Sequence, residues 1–308
     1  MGDGLPPRGS TRRNQQLYGK EGALFNAKDT MFAVAVLLAG SIAAAVVNVP
    51  AAGAPPEIHC KHFFYGYPLG APATNDLIIR EIYALSSNDE TKFADWVTYR
   101  FDADTVTGDV ETTRNWQTDP WLDDAETLEA KPDDYLNAYS VLKTDRGHQA
   151  PLASFRGTTY WADTNYYSNI TPQKSDLNQG PWEKLEGKER GLASNGYTVY
   201  VMTGPLYERE MPPLPKADEA HRVPSGYWKI VAVQEGDDAS SIHLAGFIFD
   251  QDTTRNEPIL NHLVTVDEIE RRSGLDVMRE LPDDVEATLE STVQHDWAEA
   301  NFRPWEIR

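Results

Sequence analysis

In the stretch KTDRGHQAPLAS, residues 143–154, one histidine, His148, follows Asp-Arg-Gly and precedes a polar, proline-bearing segment. A core histidine would have apolar neighbours at a regular period. These are missing, so the imidazole reads as presented, not packed. Its unperturbed pKa near 6.5 lets it exchange a proton close to neutrality. Further on, YYSNITPQKSDLNQGPWEKLEGKERG, residues 166–191, gathers Asn169, Asn178, Glu186 and Arg190. On a helix, Glu186 and Arg190 are four apart and share a face, and Asn178 lies roughly 80° round from Glu186. Such a helix offers an amide oxygen, a carboxylate and a guanidinium on one side. The same spacing describes a solvated helix with an i,i+4 ion pair, and spacing alone leaves both readings open.

Elements must hold these side chains in place. The runs LIIREIYAL (77–85) and DWVTYRF (95–101) are rich in β-branched and aromatic residues and predict strands, with the polar SSNDET between them as a hairpin connection. YTVYVM (197–202), GYWKIVAV (226–233) and IHLAGFIF (242–249) predict three more. The acidic, proline-containing stretch from Asp102 to Tyr139 has no period and reads as a long surface loop. One helix is expected within 177–193. Another begins at Thr265, where Thr265 and Glu268 make a capping box and Gly274 a natural stop. Strands in runs with helices between them predict an α+β domain on a mostly antiparallel central sheet flanked by helices.

The chain has 308 residues, 40% hydrophobic and 25% charged, enough for a full core. Its formal charge of −20 argues against a general polyanion binder, which would carry an excess of Lys and Arg. Residues 31–47, MFAVAVLLAGSIAAAVV, are uncharged and follow a segment holding Arg8, Arg12, Arg13, Lys20 and Lys28. Residues 1–54 are therefore expected to be an export signal or membrane anchor, placing the product outside the cell, in a periplasm or tethered through 31–47. Residues 55–308 read as one domain with its core at about 77–290. Cys60 is the only cysteine, so no intramolecular disulfide forms. The run His59-Cys60-Lys61-His62 holds three potential metal donors, but not at the spacing of a structural zinc site. His221, His243, His262 and His295 lie apart from any such spacing.

Taken in order, DRGHQAPLAS, SNITPQKSDLNQG, WEKLE and ER resemble the Serratia-type non-specific endonucleases, the DNA/RNA nuclease family with a ββα-metal active site. The resemblance runs from TKFADWV (91–97) through TRNWQTDP (113–120), VYVMTGPLYERE (199–210) and VTVDEIERRSGL (264–275) to LPDDVEATL (281–289). It implies an endonuclease that hydrolyses DNA and RNA without sequence specificity and leaves 5′-phosphate ends. By the same resemblance His148 is the general base, a role that suits a neutral imidazole. Asn178 holds Mg²⁺ directly, with Mn²⁺ as a substitute, and Glu186 reaches the metal through water. Asn169 orients the site, while Arg114, Arg146 and Arg190 hold the phosphate with planar forks that never lose their charge. Some relatives pair as homodimers.

Pro181 departs from a continuous helix between Asn178 and Glu186, because it lacks an N–H for the carbonyl of Leu177 and kinks or restarts the helix. Asp145 is expected to anchor its turn or pair with an arginine. The cluster Tyr160, Trp161, Tyr166 and Tyr167 could stack bases or pack the core beside the site. Two alternatives stand beside the main reading. One is a catalytically silent nucleic-acid-binding module, although such a module would need only the arginines. The other is a nuclease restricted to DNA.

Overall fold

The strands alternate apolar side chains to both faces, so the sheet they form must be covered on both sides. In the computed structural model, which describes residues 56–108, 113–236 and 238–303, that sheet has seven antiparallel strands. They are β1 (Asp76–Ile79), β2 (Ala84–Ser87), β3 (Ala94–Phe101), β6 (Val199–Leu206), β7 (Gly226–Gln234), β8 (Ile242–Asp250) and β9 (Leu263–Val264), in that spatial order. A separate two-stranded sheet pairs β4 (Thr144–His148) with β5 (Ile170–Lys174) in register Arg146↔Pro172 and His148↔Ile170. The α+β expectation stands.

Each face of the large sheet buries its own core. On one, Val97, Tyr99, Val201, Val231 and Phe247 pack against Leu185, Leu192 and Ala193 of α4 (Glu183–Ser194) and Ala298 and Phe302 of α7 (His295–Phe302). On the other, Trp96, Met202, Trp228, Ile230 and Ile248 meet Val266 and Ile269 of α5 (Val266–Ser273). Helix α5 begins where expected, with the Thr265 hydroxyl accepting from Glu268 N at 3.2 Å, and ends on Gly274 at φ 75°. The reciprocal half of the expected capping box is replaced by a Glu268–Arg271 ion pair.

Two expectations change in detail. The run 77–85 is two strands, β1 and β2, joined by a tight turn in which Arg80 N donates to Tyr83 O. Arg80 is buried at this turn. Its guanidinium pairs with the buried Asp119 at 2.5 Å and lies 4.0 Å over the Trp121 ring and 4.2 Å over Tyr166. Among its described residues, the stretch from Asp102 to Tyr139 is irregular apart from α1 (Ala103–Val106) and the first residues of α2 (Ala138–Leu142), but it is not all surface. Leu122, Leu128, Asp134 and Tyr135 are buried, and Leu128 and Tyr135 share a small core with Tyr167 and Ile170. This loop therefore forms one wall of the β4–β5 arm. The expected export or anchor segment, residues 1–54, lies outside the described residues. Among those described, no helix is long and apolar enough to cross a membrane.

Candidate active site

Strand β4 delivers Arg146 and His148 to one side of a cleft of about 970 Å³, and the segment after β5 delivers Asn178, Glu186 and Arg190 to the other. Gly147 between the first two has a local reason. A Cβ there would sit 2.6 Å from Gln173 Oε1, so only glycine lets the β5 side chain lie across β4.

The chain enters the second side through α3 (Ser175–Leu177) and then a widened π turn, Asn178–Trp182, before α4. The break expected at Pro181 is present: Gly180 leaves helical geometry at φ −120°, ψ −115°, and the helix restarts beyond it. The kink is fastened to the loop around Arg255, whose carbonyl would lie 2.6 Å from a Cβ at Gly180 and accepts from Lys184 Nζ at 3.1 Å. Asn178 is thus aimed by a bolted turn and not by a regular helix face.

Asp145 completes the aim. Its carboxylate accepts from Ser175 Oγ at 2.7 Å, Asn178 Nδ2 at 3.0 Å and Gln179 Nε2 at 2.7 Å. A carboxylate can only accept, so it draws the amide NH₂ of Asn178 and leaves Oδ1 for another partner. The expectation that Asp145 anchors a turn is met, and the turn it anchors is the one that carries Asn178.

His148 packs against the Trp116 ring at 5.3 Å, and its Nε2 faces Asn165 Oδ1 at 3.4 Å, the outer limit of a hydrogen bond. Asn165 donates its own NH₂ to Ala162 O, so its oxygen is the atom turned to the ring. That contact favours the tautomer with the proton on Nε2 and the lone pair on Nδ1. Part of the ring faces the cleft, yet protein surrounds it densely. Burial, against the opposing Asn165 contact and with the nearby Arg114 charge, pushes its pKa down from 6.5 to about 4. The imidazole is therefore neutral at physiological pH.

Glu186 and Arg190 form no ion pair, which removes the plain solvated-helix reading. Among the described residues Glu186 makes no hydrogen bond, and burial pushes its pKa up to about 7, with Lys229 opposing and Glu189 adding to the rise. Arg190 keeps a buried Nη1 without a partner. Arg114 is exposed at the cleft edge and has no hydrogen-bond or ion-pair partner among the described residues. Arg146 differs: it donates to Asp133 at 2.5 and 2.7 Å and to Tyr167 Oη at 3.0 Å.

Asn169 does not line the cleft. It is fully buried, accepts from Ala150 N at 2.8 Å and donates to Ala150 O at 3.0 Å and Thr164 O at 2.9 Å. It ties the segment after His148 to the segment carrying Asn165, so it acts by position. Tyr167 is core and Tyr166 covers Arg80, while Tyr160 is 49% exposed. His62 is buried, its Nδ1 accepting from Arg100 N and its Nε2 near the Arg80 and Glu81 carbonyls, while His59 pairs with Glu57. Neither His59, Cys60 nor His62 belongs to a metal-competent cluster among the described residues. Sequence reasoning missed Asn165 and Arg156. Asn165 stands four before Asn169, and Arg156 is an exposed cation on the cleft wall.

Comparison with known proteins extends this geometry. Residues 63–284 match the family model described as DNA/RNA non-specific endonuclease. The chain is 49% identical over 228 residues to a protein of Serratia marcescens named Nuclease, covering 73% of this chain and 83% of that one. It is 27% identical to human mitochondrial endonuclease G, over 67% of this chain and 70% of that one. Among solved structures, an endonuclease G in complex with EndoGI superposes with a TM-score of 0.58 at 22% identity, covering 71% of this chain and 90% of that one, which speaks to the fold alone.

Proposed function

The chain belongs to the DNA/RNA non-specific endonuclease family and is a hydrolytic endonuclease acting on nucleic acids; from its cleft we propose a Mg²⁺-dependent, sugar-non-specific phosphodiesterase that leaves 5′-phosphate ends. The observation that carries this reading is the pairing of two pre-set atoms across one cleft. Asp145 turns the Asn178 amide so that its oxygen is presented, and opposite it the Asn165 contact leaves the His148 Nδ1 lone pair available.

The donors fit the metal. Asn178 Oδ1 and the Glu186 carboxylate are hard oxygens with no thiol or imidazole among them, a set that suits Mg²⁺ with Mn²⁺ as substitute and not a soft ion. Asn178 would hold the ion directly and Glu186 through its waters. When bound, it would stabilise negative charge on the leaving 3′ oxygen.

The protein's own groups account for the rest. His148 takes a proton from a water whose oxygen attacks phosphorus, the P–O3′ bond breaks with the phosphate kept on the 5′ side, O3′ takes a proton from a water to leave as a hydroxyl, and His148 returns its proton to solvent. Arg190, with its unpartnered Nη1, and Arg114, without a partner among the described residues, would receive phosphate oxygens, and Arg146 would join them by sharing its fork with Asp133. Asn169 acts as a positioning residue. Arginine–phosphate contacts carry no sequence information, so low sequence specificity follows for DNA and RNA alike. We place the catalytic domain at 55–308, behind an export or anchor segment at 1–54, in a secreted or periplasmic product.

The test is Mg²⁺ titration of plasmid and RNA cleavage in wild type and in Asn178→Ala, Asp145→Ala and Arg146→Ala. Both Asn178→Ala and Asp145→Ala should raise the metal concentration for half activity, Asp145→Ala by roughly 10- to 100-fold as an outer partner of a ligand. Arg146→Ala should lower the maximal rate at unchanged metal demand. The same metal dependence in all four proteins would sink the assignment of Asn178.

A further inference from the structure

Away from the cleft, α5 lies beside α6 (Asp283–Glu290), their apolar residues Val266, Ile269, Val285 and Leu289 sharing one core. The two helices also turn carboxylates toward each other. Asp267 and Glu270 of α5 and Glu290 of α6 each offer an oxygen within 4.8 Å of the other two.

Glu290 is the anomaly among them. It is only 8% exposed, makes no hydrogen bond or ion pair among the described residues, and its Oε1 is sealed from solvent without a partner there. The charges acting on it, from Glu270, Glu286, Asp267 and Asp276, are all carboxylates. It is also the last residue of its helix, where unpaired carbonyls add further negative potential. A carboxylate buried in such a setting requires a cation or a proton. Glu270 has one oxygen taken by Val277 N at 2.8 Å and the other left over.

We propose that Asp267, Glu270 and Glu290 bind a hard divalent cation, Ca²⁺, at a site separate from the cleft that clamps α6 onto α5. The donors are carboxylate oxygens only, which excludes ions that want imidazole or thiolate. Ca²⁺ accepts six to eight oxygens in irregular arrangements of carboxylates and water, whereas Mg²⁺ demands a near-ideal octahedron. The clamp serves the C-terminal end of the chain. Glu290 lies beyond residue 284, where the family match ends, and α6 leads to α7, whose Ala298 and Phe302 enter the core under α4.

The experiment is thermal unfolding of the full chain, stripped of metal, at rising Ca²⁺ and separately at rising Mg²⁺. Wild type, Glu290→Gln, Asp267→Asn and Asn178→Ala are compared. Ca²⁺ at a hundred times its dissociation constant should raise the Tm of wild type by roughly 5 to 10 °C. Asn178→Ala should keep that shift, Glu290→Gln should lose it, and Asp267→Asn, at an exposed position that the fold tolerates, should lose most of it. Retention of the full shift in Glu290→Gln and Asp267→Asn overturns the site. So does a Ca²⁺-independent Tm in wild type with Glu290→Gln equally or more stable, which is the behaviour of a protonated carboxylate. A Mg²⁺ response at lower concentration than Ca²⁺ overturns the choice of ion.

Discussion

Helix α4 has charged groups on both sides, and the two sets are built differently. Behind it, against the sheet, Lys229 and Glu189 are wholly buried and 3.1 Å apart, Tyr99 donates to Glu189 Oε2 at 3.2 Å, and Lys229 lies 4.2 Å over the Trp182 ring. In front, in the cleft, Arg190 keeps an unpartnered Nη1, Arg114 has no partner among the described residues, and Glu186 accepts no hydrogen bond. The rear set balances its charge within the protein, although Glu189 Oε1 meets Lys229 as an ion pair without a well-formed hydrogen bond. On the proposed function the front set would be completed by something that arrives, its cations suiting an anion and its oxygens a hard metal. Arg146 lies between the two cases, since Asp133 already balances it.

If this contrast is right, the two sets fail in different ways. Lys229→Met leaves Glu189 buried without its counter-charge and should cost about 3–5 kcal/mol of stability. Adding Glu189→Leu should recover much of the loss, because an apolar pair needs no solvation. Denaturant unfolding of the single and double variants measures both. A single variant that unfolds like wild type would mean that the rear pair is not the structural half of the comparison.

The opposite pattern is expected at His148. Replacement by Ala should lower kcat by at least ~10²-fold, worth about 2.7 kcal/mol of transition-state stabilisation, with folding and DNA binding little changed. The base works deprotonated, and its pKa is depressed from 6.5 to about 4. The limb set by His148 should therefore fall near 4 and not at 6.5, below any limb set by Glu186, whose pKa burial raises to about 7. A profile of kcat/KM against pH at saturating Mg²⁺ shows where the acid limb falls. Near-normal turnover in the variant would remove His148 from the role given to it, whereas a limb near 7 would mark protonation of Glu186.

The front of α4 was far more legible than its back, for a physical reason. DRGH, Asn178, Glu186 and Arg190 sit in two short segments, where local spacing leaves a solvated helix open and the family resemblance brings them into view together. Lys229 was visible only as a lysine in GYWKIVAV. Its partner Glu189 is forty positions earlier, and nothing local shows that alternation on β7 turns both toward each other. The Arg80–Asp119 pair was hidden in the same way, and it split one expected strand into two. Asn165 was passed over because its contact with His148 depends on how the 161–169 loop folds. Pro181 marks a break that the sequence shows, but what the break is fastened to, the Arg255 backbone, is a tertiary fact.

The smallest effect tests the intermediate case. The formal charge of −20 sets a repulsive field against nucleic acid, and added salt screens it while weakening the direct phosphate contacts. These two effects oppose each other, so the absolute salt dependence of one protein is hard to interpret. The field is nearly common to single variants, however, and the difference between their slopes isolates a contact. Each phosphate contact contributes about 0.9 to the slope of log K against log salt. Arg114→Ala should flatten the slope by that amount, a change of about 3.5-fold between 50 and 200 mM NaCl. Arg146→Ala should flatten it less, because a guanidinium already balanced by Asp133 displaces fewer counterions when phosphate joins the pair. Binding of a labelled duplex in a His148→Ala background, at fixed Mg²⁺, measures both without cleavage. Equal changes in the two variants would show that the Asp133 pair opens fully on binding, and Arg146 would then belong with the unpartnered charges at the front of the cleft.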